Sequence, residues 1–473
     1  MIAQLTHAVL TDTHMIYKRD HERLTRAPLA AITGTRAITV CDLLTLADTH
    51  GLHTLWVCPG TCYSETLTHG FIETVQDYGY EYRVSYRANN ERGKADHIAR
   101  AQAWKKEGTR ADRRSIYIIF PQWDLWEWEE TDPIAVLAAI HYIERALPIR
   151  INQGAALAGR DLVKQQHGEK HQAWLRKPEI DYATIPYSEA GKDIAFTRQI
   201  TYKDGLYIHA YDKNSMYLGA ATGALLGAGT PDHITGRAVP NLKLPGIWHC
   251  TIDIADSPYN GTARPCPLSK NQLAQKQQWI TTPLLKLCLD LGYKVEILEG
   301  YQWQEHHRTL EQWGNALWTA RTQLKTDHTS YPHEHGRELA ASGVKRIATA
   351  GLGLFDSDKS AKYDPAWYRP DFWVTIVELA KERMIRKAIQ IEQLAGIVPF
   401  AGVTDCWYYL SPDPNPYTAI PGITEREDKL GGFKVKHQAL PLTPALTEQI
   451  NAASSAGKVA KIIRLYEQAV RGE

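Results

Sequence analysis

The run YIHAYD, Tyr207 to Asp212, has the length and apolarity of a buried strand and stops on a carboxylate. Far downstream, IVPFAGVTD does the same and stops on Asp405. Between them GVKRIATAGLGLF, from Gly343, reads as helix and carries Lys345. Two acids at strand ends and one lysine on an intervening helix suit two-metal phosphoryl transfer to a nucleotide. In that chemistry the ions sit about 3.5–4 Å apart and steady the attacking and leaving oxygens.

The chain has 473 residues, enough for two or three domains. Its formal net charge is only +1, so affinity for nucleic acid has to come from a local patch. One patch runs from Arg83 to Arg114, with ten Arg or Lys against four acids, an excess of +6. Tyr82, Tyr86 and Trp104 are interleaved with it, a mixture that suits a phosphate backbone with stacked bases. The plain alternative is a solvated amphipathic helix. Seven cysteines without a paired framework fit a reducing, cytoplasmic setting. Cys58 and Cys62 lie near His53, but no second pair accompanies them and no zinc site is expected. No stretch of eighteen apolar residues and no signal-peptide pattern occurs, so a soluble chain without a membrane partner is expected.

From Ala37 to Pro59 the order reads strand AITV, helix DLLTLADTHGL, strand HTLWVCP. Another strand, SIYIIF from Ser115, precedes an acidic aromatic run, Trp123 to Asp132, and a helix from Pro133 to Arg145. The run reads as a metal or interaction surface. This alternation predicts an α/β domain over roughly the first 170 residues. The polar stretch Lys164–Pro178 reads as its boundary. After Asp212 the chain reads as β-rich, including IWHCTIDIA and YKVEILEGYQW. Helices follow over Thr309–Thr326, Glu334–Gly351 and Asp371–Gly396, the last started by Pro370. Pro441–Gly472 reads as one or two polar helices.

Asp212 ends its strand beside the backbone carbonyl of Lys213, and such oxygens can hold Mg²⁺, which shares its shell with phosphate oxygens. Asn214 to Tyr217 then starts a helix or turn whose exposed amides can meet a triphosphate. Read alone, Asp212 and Asn214-Ser215 serve equally well as a helix cap. Arg337 lies about two turns before Lys345, so both can face one side of a helix. Arg321 and Lys325, at i,i+4 on the preceding helix, can complete a cationic clamp. The alternative is a solvated basic face.

YDKNSMYL resembles the first palm motif of family B DNA polymerases, written DxxSLYP. GVKRIATAGLGLF resembles their fingers motif, KxxxNSxYG, and VTDCW resembles their second palm motif, DTDS. The three stand in the family's order across roughly Tyr182 to Lys436. The resemblance implies that Asp212 and Asp405 bind catalytic metal, with Lys213 contributing a carbonyl, and that Lys345 contacts the incoming triphosphate. It makes Tyr217 the gate against ribose and sets Thr349 and Gly353 beside the nucleotide, where the turn amides at Ser215 and Met216 and the helical spacing of Arg337 add further candidate contacts. Leu218 stands where the family has Pro, and Thr349-Ala350 replaces Asn-Ser. Leu352 replaces a stacking Tyr, Val403 replaces the first acid of DTDS, and Cys406 replaces its Ser. KLGGFK from Lys429 resembles the family's KLGxWK, which places Lys429, Gly431 and Lys434 beside nucleic acid. YSEAG resembles the YxGG linker of the protein-primed branch, which places Tyr187 and Gly191 there too.

The implied fold is a multidomain α/β and α+β chain shaped as a polymerase right hand. It comprises an RNase H-like α/β domain over 1–175 and a palm with an antiparallel sheet over 176–307 and 356–436. Helical fingers span 308–355, and a reduced thumb or C-terminal helices span 437–473. The only DxE of the first region, Asp20-His21-Glu22, lies in charged surroundings rather than on an apolar strand, so proofreading is expected to be absent. The implied activity is template-directed DNA polymerisation with Mg²⁺ or Mn²⁺. Its partners are template, primer and dNTPs, with a protein primer or other replication protein possible, and its setting a mobile element, plasmid or phage. The alternative is a catalytically reduced scaffold that binds nucleic acid.

Overall fold

The computed structural model describes residues 7–17, 24–29, 40–59, 80–89, 95–105, 115–122, 124, 126–151, 154–168, 178, 180, 182, 185, 194–236, 239–262, 264–424 and 428–472. The chain forms two compact units, Met1–Gly168 with Asn315–Leu354, and Glu169–Gly314 with Phe355–Glu473.

The N-terminal region holds β1 (His7–Leu10), β2 (His14–Tyr17), β3 (Thr25–Pro28), α1 (Val40–Thr49) and β4 (Thr54–Val57). It continues with β5 (Tyr80–Asn89), β6 (Ala95–Lys105), β7 (Ser115–Ile119), α2 (Pro133–Ala146) and α3 (Ala155–His167). The strands form one sheet in the order β3-β2-β1-β4-β7-β6-β5. β1, β4 and β7 run parallel to their neighbours in that trio, and the other pairs are antiparallel. β1 and β4 are buried at all four positions, as strands covered on both faces must be. One face packs Ala8, Leu10, Leu55 and Val57 against Leu43, Leu44 and Ala47 of α1. Toward the other lie Trp56, stacked on Trp128 at 5.6 Å, and His7, hydrogen-bonded to Glu144 of α2 at 3.0 Å.

Two expectations change here. The basic stretch from Arg83 is not an amphipathic helix: β5 and β6 pair as an antiparallel hairpin, anchored by the apolar neighbour β7. The acidic aromatic run is core at its described tryptophans and forms no metal-holding group among the described residues. Trp126 and Trp128 are fully buried, Asp124 is buried beside Arg100 at 3.7 Å, and Glu127 is tied to Arg346. Asp20, Glu22, Cys62 and most of the AITV run lie outside the described residues; Val40 already opens α1. Cys58 is buried, its thiol donates to Thr131 O, and burial beside Asp132 and Glu130 pushes its pKa up to about 12.

Along the rest of the chain come β8 (Ala195–Thr197), β9 (Tyr207–Lys213), α4 (Met216–Gly223), β10 (Leu226–Gly227), β11 (Asp232–Thr235) and β12 (Gly246–Asp253). Next are α5 (Lys270–Ala274), β13 (Gln278–Thr281), α6 (Thr282–Asp290), β14 (Lys294–Gln302) and β15 (His306–His307). Then follow α7 (Glu311–Thr326), α8 (Glu334–Gly353), α9 (Asp358–Tyr363), α10 (Pro370–Ala395), β16 (Ala401–Val403) and β17 (Cys406–Ser411). The chain closes with β18 (Phe433–Val435), β19 (Leu440–Pro441), α11 (Pro444–Ala452) and α12 (Ala456–Arg471).

In the second unit an antiparallel sheet runs β18-β9-β17-β16-β8, with β19 also on β9. Alternation along β9 divides its side chains. Ile208 and Ala210 join a core with Leu446 and Ile450 of α11 and Val459 and Ile463 of α12, and Asp212 shares their face. His209, Tyr211 and Lys213 take the opposite face, where Lys213 feels Arg383, Glu382 and Lys387 of α10. A second sheet, β11-β14-β12-β13, carries a bulge at His249/Cys250 and packs α6. The helix TPLLKLCLD is one that strand-like alternation on either side of it concealed. Glu378 of α10 is fully buried and accepts hydrogen bonds from Thr281 N at 2.7 Å and Thr281 Oγ1 at 2.6 Å.

In the first unit α8 lies against α2 and α3. The approach is close: a Cβ on Gly343 would sit 2.7 Å from Ile143 Cδ1 and 2.9 Å from Trp128. Among the described residues no helix is long and apolar enough to cross a membrane.

Candidate active site

β9 and β17 run antiparallel with Asp212 opposite Cys406, so Asp405, one residue before Cys406, arrives at the same corner. The Lys213 amide donates to Asp405 O at 2.9 Å and closes the ladder there. Val403 pairs with Cys406, which leaves Thr404-Asp405 as a two-residue hairpin loop. Thr404 has φ +53°, a left-handed conformation that a β-branched residue resists. The structure thus brings to one corner two aspartates that the sequence places nearly two hundred positions apart.

Cations gather at the same corner. Lys434 stands opposite Asp212 in register, with Nζ 3.4 Å from Asp212 Oδ2. The Lys436 amide donates to Ala210 O at 2.9 Å, which sets its side chain on Asp212's face. Burial works against its charge, but Cys406, Asp212 and Asp405 outweigh that and raise its pKa. Burial pushes the Cys406 thiol up, against the pull of the Lys436 ammonium, so Cys406 is a neutral thiol at pH 7. Lys436 went unremarked in the sequence; the i,i+2 repeat KVK on a strand leaving the carboxylate corner was the available signal.

Two carboxylates at an open strand end supply hard oxygens of the kind Mg²⁺ or Mn²⁺ takes. Among the described residues no group of three or more His, Cys, Asp or Glu is arranged to hold a metal, in keeping with Val403 in place of a further acid. Lys213 brings only main chain to this corner: its side chain is buried on the far face, over the Phe433 ring at 5.2 Å, and burial pushes its pKa down to about 8.

The turn after β9 is locked to the KLGG segment. Asn214 N donates to Gly432 O at 2.8 Å and Gly431 N donates to Asn214 O at 2.9 Å. Gly431 has φ +72°, and a Cβ on Gly219 would lie 3.1 Å from Gly431 Cα, so both positions need glycine. Ser215 enters α4 through a left-handed conformation, φ +47°, without capping it by its side chain. Tyr217 is half-buried with its ring 6.0 Å from that of Trp373. Met216 is 7% exposed and its side chain belongs to the core. Lys429 pairs with Asp428 at 2.8 Å. Tyr187 and Gly191 lie outside the described residues.

Lys345 belongs to the first unit. There α7 and α8 enclose a cavity of about 460 Å³ whose charged lining is Arg321, Lys325, Arg337, Lys345 and Glu338. Four cations against one acid favour an anion. Arg337 is buried and donates to Tyr331 O at 3.0 Å, while Arg321 has its pKa lowered by burial. Neither Thr349 nor Gly353 lines this cavity: the Thr349 hydroxyl donates back to Lys345 O at 3.2 Å, and Gly353 faces open space.

No protein family and no curated protein matches the sequence. Solved structures do match. The chain aligns with phi29 DNA polymerase complexed with primer-template DNA and incoming nucleotide substrates at a TM-score of 0.57 and 13% identity, over 92% of this chain and 84% of that one. The fold resembles that of phi29 DNA polymerase. The binary complex of phi29 polymerase with primer-template DNA gives 0.56 at 13% identity, over 91% and 84%. The orthorhombic crystal form gives 0.54 at 12% identity, over 93% and 90%. At such identity the phi29 likeness concerns the fold and extends over both compact units.

Proposed function

We propose that the chain is a template-directed DNA polymerase that adds deoxynucleotides to a primer hydroxyl, in the replication of a mobile element, plasmid or phage. The meeting of Asp212 and Asp405 across β9 and β17, in a phi29-like fold, is the observation that carries this reading. The antiparallel sheet of the second unit serves as palm, α7 and α8 as fingers, and α11 with α12 as a short thumb. The N-terminal sheet serves as a former exonuclease domain, supported by β1, HAVL, which has no carboxylate on it.

In this scheme Asp212 and Asp405 hold divalent metal, with the Lys213 carbonyl at hand. That metal would supply charge neutralisation at the α-phosphate and acidify the 3′-hydroxyl. Lys345 and its cationic neighbours bind the triphosphate and ease pyrophosphate departure. Tyr217 packs under the sugar and excludes ribose. Lys429, Gly431 and Lys434 steady nucleic acid.

A scaffold reading keeps the fold and drops the chemistry; Val403 and the ion pair at Asp212 favour it. Primer extension separates the two, using dNTPs or rNTPs, with and without primer, in Mg²⁺ and Mn²⁺. Metal-dependent dNTP incorporation, abolished by Asp212→Ala with an unchanged melting temperature, supports the polymerase. Extension retained by that variant overturns the site, and a wild type that binds DNA without incorporating any nucleotide selects the scaffold.

A further inference from the structure

Metal-binding carboxylates ordinarily face the ion with their negative charge unspent. At this corner the sheet supplies counter-charges of its own. Lys434 reaches Asp212 Oδ2 at 3.4 Å from the directly opposed position on β18. Lys436 follows two residues later on the same face, its amide bonded to Ala210 O at 2.9 Å, and lies in the field of both Asp212 and Asp405. Two carboxylates meet two ammonium groups, and the formal charge of these four residues cancels. A divalent cation entering here has to part Lys434 from Asp212. The Lys434 side chain is 39% exposed and therefore has room to swing outward.

We infer that Lys434 and Lys436 are positioning residues that compete with divalent metal for Asp212 and Asp405. They hold the carboxylate pair in place while metal is absent, and metal entry releases Lys434. The competition comes from charge and place: two lysines on one edge strand, Lys434 at Asp212 Oδ2 and Lys436 on the same face two residues on. It rests on the proposed metal role of the two acids.

The test is Mn²⁺ binding to the metal-free full chain without DNA or nucleotide, read from the electron paramagnetic resonance signal of the free ion. Lys434→Met is expected to tighten the Mn²⁺ Kd about tenfold, as removal of one close counter-charge should. Lys436→Met is expected to tighten it by a smaller factor, and Lys434→Arg, which keeps the charge, to remain within about twofold of wild type. Melting curves establish that each variant is folded. If Asp212→Asn weakens Mn²⁺ binding while both Met variants bind like wild type, the competition is overturned and the polymerase reading stands. If Asp212→Asn and Asp405→Asn bind Mn²⁺ as wild type does, the metal role of the acids falls, and the inference with it.

Discussion

The carboxylate corner of the second unit and the cationic cavity of the first handle charge in opposite ways. At the corner Asp212 is matched by Lys434, and Lys436 stands within the field of both acids. In the cavity Arg321, Lys325, Arg337 and Lys345 line one wall together with Glu338. A balanced cluster costs little to keep folded and yields its counter-ions only to something of higher charge. An unbalanced one stores repulsion that an anion relieves. On the proposed function, the corner is the place for metal exchange and the cavity the place for phosphate.

The strongest way to break the contrast is to remove a charge from each side. Asp405→Ala is expected to lower primer extension by at least about a thousandfold with little change in melting temperature. Lys345→Ala should lower kcat/KM for dNTPs by about 10- to 100-fold, chiefly through KM, since a charge-assisted contact to phosphate is lost. Equal losses in the two variants, both in kcat, would collapse the distinction between a chemical corner and an anion cavity.

Smaller effects sharpen it by testing the supports of each region. Glu378 has its pKa raised from 4.5 to about 7, first by burial and against the pull of Lys381 and the Thr281 hydrogen bonds. Between those pH values the folded chain holds a proton that the unfolded chain has lost, so stability declines as pH rises through that window. Glu378→Gln should remove the decline, gaining up to about 3 kcal/mol over wild type between pH 5 and pH 8 in urea melts; parallel pH profiles would clear Glu378 of this role. Gly343→Ala, which presses a methyl on Ile143 and Trp128, should cost about 1–3 kcal/mol in the first unit. Thr404→Gly, which relaxes the left-handed residue beside Asp405, should stabilise by about 1 kcal/mol, measured by thermal unfolding.

Much of this was legible because strands announce themselves where both faces are covered. TLWV is apolar at consecutive positions from Leu55 and YIHAY at all but His209, and both were read as strands from the sequence. Helices with clear caps were legible too: Pro370 opens α10 and Gly396, with φ +65°, closes it. The concealed parts are those decided by tertiary partners. β5 and β6 carry the charge of a solvated helix but are held as strands by their neighbour β7. Trp126 and Trp128 sit among acids in the sequence, yet Trp56 and α8 at Gly343 cover them. Lys436 has meaning only through Asp212, a residue on another strand, which no local pattern discloses. The glycines of α8 read as weak helix formers, although Gly343 is where the helix closes on Ile143 and Trp128.

One feature of the chain path bears on biosynthesis. Residues Asn315–Leu354 belong to the unit begun by Met1–Gly168, although a long stretch of the other unit is made in between. As the chain emerges from the ribosome, Ile143 and Trp128 must wait for Gly343 to be translated before their covering arrives. The N-terminal portion therefore cannot mature as an early, self-sufficient product, and a nascent chain arrested before residue 315 would present that greasy surface to chaperones and proteases.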